Sequence, residues 1–404
     1  MRTPVIIMLL FAVAAGLASP ADALEITFET VWRVQTDGPI YGKPVIDGER
    51  VYIGGEDGKL RVLDKATGDA EWVYEAAAGI GSGTGFDDMR AYVISRDGLV
   101  HGIDKATGEG LWTFATGGEK QWDYWDIFLS TPVADDQHWL YFGSGDHHVY
   151  SINKRSGALR WKFETGAIVH GDAVLSGEKV IIGGFDGRMY ALDKADGRKL
   201  WAFKTVGNAY FRAGEIPGSA AVADGIVYFG SRDYNLYAVL EDTGTGAWNE
   251  RTPSWVVAKP LIVDGRLYVG ISDGPRIFSF DAKSSREYWM TRIDLNVFGG
   301  AEPVGDELIA VASLDGRINL LNRETGEIVA HHDSQEAVEN RSKLFDVEGK
   351  VITGTIETFE DLFVLYDRYF AELGGIAGGL AVEGDRIYYA TGAGSIVAVR
   401  LAGL

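Results

Sequence analysis

The sequence predicts an all-β fold, a closed toroidal β-propeller built from four-stranded blades. Three observations support this prediction: a repeat of about 40 residues covers most of the chain, Asp-Gly and Thr-Gly turns punctuate the repeat, and tryptophan recurs near the end of each unit. Glycine is abundant, with 53 residues against 10 prolines, as many tight β-turns require. Because a four-stranded unit cannot bury both faces alone, the units must stack, and radial stacking closes them into a ring.

The repeat is clearest where the segments 51–72 and 180–201 align without a gap. In the first of these units, one strand ends at the Asp47-Gly48 turn, Asp57-Gly58 joins the second strand to the third, and Thr67-Gly68 joins the third to the fourth. Asp-Gly between alternating apolar runs is a strong hairpin signal, since glycine adopts positive φ readily. Each unit is therefore predicted to be a four-stranded meander.

Tryptophan marks the fourth strand of successive units, and we expect its indole to wedge between neighbouring blades. The series, at intervals of 40, 49, 40, 47 and 41 residues, is Trp72, Trp112, Trp161, Trp201, Trp248 and Trp289. The last unit, 379–404, ends before any fourth strand, whereas 29–36 is an isolated Trp-bearing strand at the other end of the chain. We predict that this N-terminal strand completes the last blade, which removes exposed sheet edges.

The number of blades is open at this point. First strands near residues 43, 84, 132, 172, 220, 260, 302, 344 and 379 make nine units, but the unit at about 334–372 has neither turn motif nor tryptophan. Eight blades with one irregular insertion and nine blades both agree with the pattern.

The N-terminus has the order of a signal peptide: Met1-Arg2-Thr3, an apolar run from Pro4 to Leu17, and the small residues Ala21 and Ala23 around a cleavage site. We predict a signal peptide over 1–23 and a single propeller domain over 24–404. The mature protein is then expected to be soluble and periplasmic, with no transmembrane segment. The chain has 0 cysteines, which excludes disulfides and a lipid anchor attached through cysteine.

The net charge of −20 repels phosphate backbones, so nucleic-acid binding is not expected. The sequence has no Gly-x-Ser-x-Gly elbow, no phosphate-binding Gly-Lys-Ser/Thr loop and no His-Glu-x-x-His motif. We therefore predict no catalytic residues and favour a non-enzyme, which we expect to be a monomer.

The two long tryptophan intervals locate insertions at 117–130 and 206–218. Both join the outermost strand of one unit to the innermost strand of the next, on the face that also carries the turns between second and third strands. Among seven such turns, the glycine after aspartate is lost only at His147 and Tyr234, in the units that the long loops enter. A non-glycine residue at positive φ costs about 1 kcal/mol, so either function maintains these residues or the turns have relaxed to another type.

Aromatic side chains interspersed with Arg and His are typical of protein interfaces and of sugar or peptide grooves. Such residues on this face form the predicted binding surface; alternatively, the aromatics pack the loops as a plug over the channel. The predicted binding residues are Trp122, Asp123, Tyr124, Trp125, Asp126, His147, His148, Tyr210, Phe211, Arg212, Arg232 and Tyr234.

Metal binding is a further hypothesis for this region. His147, His170 and Asp172 come from neighbouring units and supply imidazole and carboxylate ligands. Adjacent residues of a strand point to opposite faces, however, so His147 and His148 do not both face inward unless the turn intervenes. The primary prediction is no metal site. His331, His332 and Asp333 are expected to lie at a solvated edge.

The strand, Asp-Gly, strand, Thr-Gly and Trp pattern resembles the pyrroloquinoline-quinone-like repeat of quinoprotein alcohol dehydrogenases and of BamB, the outer-membrane assembly lipoprotein. The resemblance implies a non-catalytic periplasmic scaffold that binds a protein or peptide of the cell envelope in outer-membrane protein assembly. The absence of cysteine departs from BamB, because it removes the lipid anchor. The alternative is an enzyme or sensor with pyrroloquinoline quinone, a divalent metal or a small ligand at the channel mouth. The dehydrogenases' calcium ligands and catalytic Asp have no residue-by-residue match here, so no cofactor is predicted.

Overall fold

The computed structural model describes residues 26–346, 352 and 359–404, and the predicted signal peptide lies outside these residues. Within them the chain forms eight four-stranded antiparallel sheets arranged as a ring. The prediction of an all-β propeller is confirmed, and the number of blades is eight.

The first strand, β1, spans Thr27–Gln35 and belongs to the last blade; each of the next seven blades takes four consecutive strands. Blade 1 contains β2 (Val45–Asp47), β3 (Arg50–Gly54), β4 (Lys59–Asp64) and β5 (Ala70–Glu75), and blade 2 contains β6 (Gly85–Phe86), β7 (Arg90–Ile94), β8 (Leu99–Asp104) and β9 (Gly110–Ala115). Blade 3 contains β10 (Val133–Ala134), β11 (Trp139–Ser144), β12 (His148–Asn153) and β13 (Leu159–Glu164). Blade 4 contains β14 (Val174–Ser176), β15 (Lys179–Gly183), β16 (Arg188–Asp193) and β17 (Lys199–Lys204).

Blade 5 contains β18 (Ala221–Ala223), β19 (Ile226–Gly230), β20 (Asn235–Leu240) and β21 (Gly246–Arg251). Blade 6 contains β22 (Leu261–Val263), β23 (Arg266–Gly270), β24 (Arg276–Asp281) and β25 (Glu287–Arg292). Blade 7 contains β26 (Glu302–Val304), β27 (Leu308–Ala312), β28 (Arg317–Asn322) and β29 (Ile328–Asp333). Two helices follow, α1 (Gln335–Leu344) and α2 (Phe359–Glu372). Blade 8 contains β30 (Leu380–Glu383), β31 (Arg386–Ala390) and β32 (Ser395–Ala402) together with β1.

Blade 8 closes the ring as predicted. Strand β1 pairs antiparallel with β32, from Thr27 opposite Ala402 to Gln35 opposite Ser395. The two ends of the described chain are thereby held in one sheet.

The core consists of apolar layers between adjacent blades, and the tryptophans wedge there as predicted. Trp72 packs over Gly108 of the next blade and donates its indole N–H to the carbonyl of Lys105 at 3.2 Å. Gly108 has a φ of +76°, and a Cβ at this position would lie 2.6 Å from the Trp72 ring. Only glycine therefore fits beneath the indole. Trp161 repeats the arrangement over Gly197, with a bond of 2.9 Å to the carbonyl of Lys194.

The irregular unit at 334–372 is not a ninth blade, so the nine-blade alternative is wrong. Its described residues form α1 and α2 between blades 7 and 8. Ser334 caps α1, because its Oγ accepts a hydrogen bond of 3.0 Å from the N–H of Ala337. In α2, residues 365, 366, 369 and 370 are buried, a spacing of three and four that fits a helix and not a strand. None of the described helices is long and apolar enough to cross a membrane.

Candidate functional site

Helix α2 lies across the mouth of the central channel, on the face that carries the two long loops, here called the plug face. It packs against aromatic residues from connections on different sides of the ring: Tyr41 before blade 1, Trp125 before blade 3, Trp255 before blade 6 and Phe298 before blade 7. The buried side chains of α2 include Leu365, Tyr366, Tyr369 and Phe370. The plug that the sequence analysis left as an alternative therefore exists, and a helix is its centre.

Trp125 of the 117–130 loop packs against the buried side of α2. Its ring centre lies 4.3 Å from that of Tyr366 in an edge-to-face arrangement, and 5.7 Å from that of Phe298. Edge-to-face aromatic pairs of this kind contribute about 0.5–1.5 kcal/mol beyond the burial of area. Trp125 thus fixes α2 to the loop.

Tyr124 holds the exposed side of α2. Its ring stacks on Phe363 at 4.4 Å, and its hydroxyl donates a hydrogen bond of 2.6 Å to Oδ1 of Asp367. Burial, followed by this bond to the Asp367 carboxylate, raises the pKa of Tyr124, so the hydroxyl stays protonated and donates.

Arg232 is a buried cation that joins the two long loops. Its side chain is 1% exposed, pairs with the carboxylate of Asp123, and lies over the rings of Trp255 at 4.7 Å, Phe185 at 5.2 Å and Phe211 at 5.9 Å. Guanidinium groups suit such sites because they stack on aromatic faces while pairing with a carboxylate. Asp123 belongs to the first loop and Phe211 to the second, so Arg232 connects both.

His170 anchors the first loop from below. Nδ1 lies 2.7 Å from Oδ1 of Asp126, and Nε2 lies 3.0 Å from Oε2 of Glu119, with all three side chains almost fully buried. Burial acts to lower the pKa of His170, but the hydrogen bonds to Asp126 and Glu119 outweigh it and raise the pKa to about 9. The imidazolium therefore donates to both carboxylates at neutral pH.

The two turns without glycine keep the left-handed backbone. His147 has a φ of +70° and Tyr234 a φ of +71°, close to the +78° of Gly58 and the +72° of Gly187 in regular blades. The alternative that these turns relaxed to another type is therefore wrong. Tyr234 packs near Phe211, with ring centres 6.2 Å apart, whereas the ring of His148 turns back so that Nδ1 lies 3.0 Å from the carbonyl of Asp146.

The most exposed predicted residues lie at the rim of the plug. Tyr210 is 83% exposed and Trp122 is 44% exposed, and Arg212 is exposed as well. Trp122 packs against Phe185, the ring that also contacts Arg232. The plug face therefore carries a rigid aromatic centre and a rim of accessible apolar side chains.

Two of the three hypothesised metal ligands, His170 and Asp172, are engaged in other contacts. Both nitrogens of His170 face carboxylates, and Oδ1 of Asp172 accepts a hydrogen bond of 2.7 Å from the N–H of Thr131. Within 26–346 and 359–404, no group of three or more His, Asp or Glu side chains is arranged so that it could hold a metal ion. Asp172 lines the central channel, a cavity of about 380 Å³ beneath the plug.

The aromatic side chains that pack together at the channel mouth are Trp125, Trp255, Phe298, Tyr366 and Phe370. The prediction of no cofactor stays a prediction.

The structure brings together Asp123, Tyr124, Trp125, Phe211, Arg232 and Tyr234 as one packed cluster with α2. Asp126 supports it from below through His170, and Trp122, Tyr210 and Arg212 lie at the rim. His147 lies in the turn that leads into β12, and His148 is the first residue of this strand.

Sequence reasoning missed Glu119, Trp255, Phe298 and the residues of α2. The available signal was the recurrence of apolar residues at 362, 365, 366, 369, 370 and 373, which is helical. His332 is also not at a solvated edge as predicted: it is half-buried in β29, and its Nε2 lies 3.0 Å from the hydroxyl of Tyr389 in blade 8.

Comparison with known proteins agrees with this architecture. A family model described as outer membrane protein assembly factor BamB matches residues 27–85, 96–214 and 211–358. The chain belongs to this family. The crystal structure of BamB from Moraxella catarrhalis superposes with a TM-score of 0.70 and covers 93% of this chain and 100% of that chain, at 19% sequence identity. At this identity the likeness shows the shared fold.

Curated relatives include BamB of Bordetella pertussis, 22% identical over 71% of this chain and 74% of the relative. BamB of Shewanella oneidensis is 25% identical over 50% of this chain and 52% of the relative. The match to BamB of Yersinia pestis covers 44% of that relative. The chain therefore matches about half the length of the Shewanella and Yersinia relatives. The quinoprotein alcohol dehydrogenase PedH of Pseudomonas putida is 27% identical over 26% of this chain and 19% of the relative.

Proposed function

We propose that this chain is a non-catalytic scaffold of the periplasm that binds a protein of the cell envelope through its plug face and contributes to outer-membrane protein assembly. The membership of the BamB family supports the role in assembly. The observation that carries the choice of surface is the filled channel mouth: α2 and its aromatic neighbours leave a packed surface where a small-ligand site would otherwise open.

The rim of that surface has the composition of a protein-binding site. Trp122, Val206 and Tyr210 are exposed on the two long loops, and Val364 is exposed on α2. Tyr and Trp on a rigid base bind with little loss of conformational entropy, which is why they dominate the energetics of interfaces. The base here is rigid because Arg232, His170 and Trp125 tie the loops and α2 together.

Site-specific photo-crosslinking tests this proposal in the native host. A photoreactive phenylalanine replaces Tyr210 on the plug face and, as a control, Met89 on the hairpin between β6 and β7, which is 64% exposed. We expect position 210 to form an adduct with a protein of the outer-membrane assembly machinery, and position 89 to form none. Equal adducts at the two positions, or none at 210, contradict the proposed surface.

Alanine substitution provides the second measurement. The double variant Trp122→Ala, Tyr210→Ala should lose co-purification of the crosslinked protein while keeping the unfolding temperature of the wild type, since both side chains are accessible. The control variant Met89→Ala should retain the partner. A stoichiometric quinone or metal in the protein purified from the periplasm would contradict the scaffold role.

A further inference from the structure

The seam between blades 7 and 8 lacks the tryptophan that fills the other seams of the ring. The fourth strands of the other blades carry Trp32, Trp72, Trp112, Trp161, Trp201, Trp248 and Trp289. In β29 the equivalent position is occupied by Ala330. Ala330 lies opposite Leu320, next to the β-bulge of its blade, just as Trp289 lies opposite Ser279, next to the β-bulge of blade 6.

The closure of the ring explains this absence. Trp289 packs over Gly326, in the turn between the third and fourth strands of the next blade. Blade 8 has no such turn, because its third strand ends at Ala402 and its fourth strand begins at Thr27. An indole at 330 would have no such turn to cover. Leu320, fully buried, fills the inner part of the seam, and the residues that the structure describes leave a groove in its outer part.

The open part is a groove of about 830 Å³ along the seam. Ile26, Phe28, Val329, Ala330 and Val338 line it, and it continues into a second recess that shares Ile26 and Val329. Val338 is 72% exposed and Val329 is 43% exposed, so its apolar walls are accessible.

The floor of the groove is aromatic, and the charged residues of its lining, Arg33 and Asp333, form ion pairs with Glu336 and Arg317. The ring of His332 stacks on Phe28 at 5.1 Å and hydrogen bonds to the hydroxyl of Tyr389. Burial lowers the pKa of His332, which keeps the imidazole neutral at physiological pH. A planar side chain entering the seam would therefore meet apolar and aromatic surfaces.

The end of the second recess is acidic. Asp306 and Glu307 are exposed there, and neither carboxylate forms an ion pair with the part of the chain that the structure describes. They favour a cation close to the apolar groove.

We propose that the groove between blades 7 and 8 binds an extended segment of a partner protein, which inserts an aromatic side chain beside Ala330 and places a basic side chain against Asp306 and Glu307. The aromatic side chain does for this seam what tryptophan does for the seven others. None of the residues that line the groove belongs to the rim at Trp122, Val206, Tyr210 and Val364, so this proposal and the proposed function fail independently.

A peptide copied from a wedge strand of this chain is the probe. The segment Arg286–Arg292 carries Trp289 and a basic residue at each end, and a matched control peptide has alanine in place of the tryptophan. Fluorescence anisotropy of the labelled peptides with the full-length protein should show at least tenfold tighter binding of the tryptophan peptide. Equal affinity of the two peptides would overturn the proposal.

Filling the groove tests its location. Ala330→Trp should abolish binding of the tryptophan peptide, whereas Thr113→Trp, which adds an indole at an exposed position of β9, should leave binding unchanged. Because a new indole crowds Leu320, Val329→Glu on the accessible wall is the second blocking variant, and it should also abolish binding. Wild-type affinity in a folded Ala330→Trp or Val329→Glu protein would overturn the proposal.

The charge and the occupant are tested separately. Asp306→Lys combined with Glu307→Lys should weaken binding of the basic peptide several-fold, and an unchanged affinity would overturn the acidic end of the site. Light scattering of the wild type and Ala330→Trp distinguishes a second copy of this chain: a dimer that disappears in the variant would replace the peptide as occupant and overturn the proposal.

Discussion

Removal of the charge on His170 should destabilise the protein in a manner that depends on pH. His170 donates to Asp126 and Glu119 in a nearly inaccessible site, so His170→Gln leaves two buried carboxylates with one amide donor group between them. Breaking a buried ion pair by removal of one partner costs about 3–5 kcal/mol. The unfolding free energy of the variant should fall by this amount at pH 6.5.

The pH dependence follows from the raised pKa. The folded protein holds the proton on His170 up to a pKa of about 9, whereas the unfolded chain releases it near the ordinary value of 6.5. The stabilisation is therefore complete below pH 6.5 and is lost as the pH rises through 9. A shift of this size corresponds to about 3 kcal/mol, since each pKa unit is worth about 1.4 kcal/mol. The difference between wild type and His170→Gln should shrink by that amount across this interval.

Urea unfolding at several pH values, followed by tryptophan fluorescence and circular dichroism, measures this difference. His138 is exposed, so His138→Gln is the matched control and should differ from the wild type by the same small amount at every pH. A constant difference between wild type and His170→Gln from pH 6.5 to pH 9 would refute the assignment of a protonated, doubly bonded His170.

Three further substitutions test individual contacts. His147→Gly should raise the unfolding free energy by about 0.5–1 kcal/mol, because it removes the cost of a φ of +70° for a residue with a Cβ; destabilisation in urea would contradict this. Trp289→Ala should lower the unfolding free energy by about 3–5 kcal/mol, because the indole is buried between blades and donates a hydrogen bond to the carbonyl of Arg323. A loss below about 1 kcal/mol would exclude the wedge role. Tyr124→Phe should lower the unfolding free energy by about 1–2 kcal/mol, because the hydrogen bond to Asp367 is lost. It should also increase the rate of amide hydrogen exchange in α2 and leave that of the blades unchanged.

The ring was predictable from the sequence because the repeat is local. Each Asp-Gly or Thr-Gly turn constrains a few neighbouring residues, and most of the tryptophans pack over a glycine in the turn of the next repeat, as Trp72 packs over Gly108. The pairing of the N-terminal strand with the last blade was predictable because the C-terminal unit lacks its own fourth strand. Local signals repeated many times leave few alternative topologies.

The plug was not predictable in the same way. The aromatic composition of the long loops indicated a functional face, but whether Trp125 faces a ligand or another part of the chain depends on α2, which is more than 230 residues distant. The sequence of 359–372 has the helical period, but the repeat pattern alone agrees with both an insertion and a further blade at this place. The contact between Arg232 and Asp123 likewise joins residues 109 apart, and no local pattern predicts it.

The filled channel mouth also affects which kind of partner this propeller can bind. An open propeller mouth offers concave walls that can enclose a small molecule, which requires a cavity with a few convergent polar groups. In this chain the aromatic cluster around Tyr366 is packed, and the polar groups near it, such as Asp123 and Asp367, are paired with Arg232 and Tyr124. Accessible apolar side chains lie around the cluster at Trp122, Val206, Tyr210 and Val364. These exposed side chains can be buried together only against a partner large enough to cover them, and this arrangement favours a protein over a small ligand.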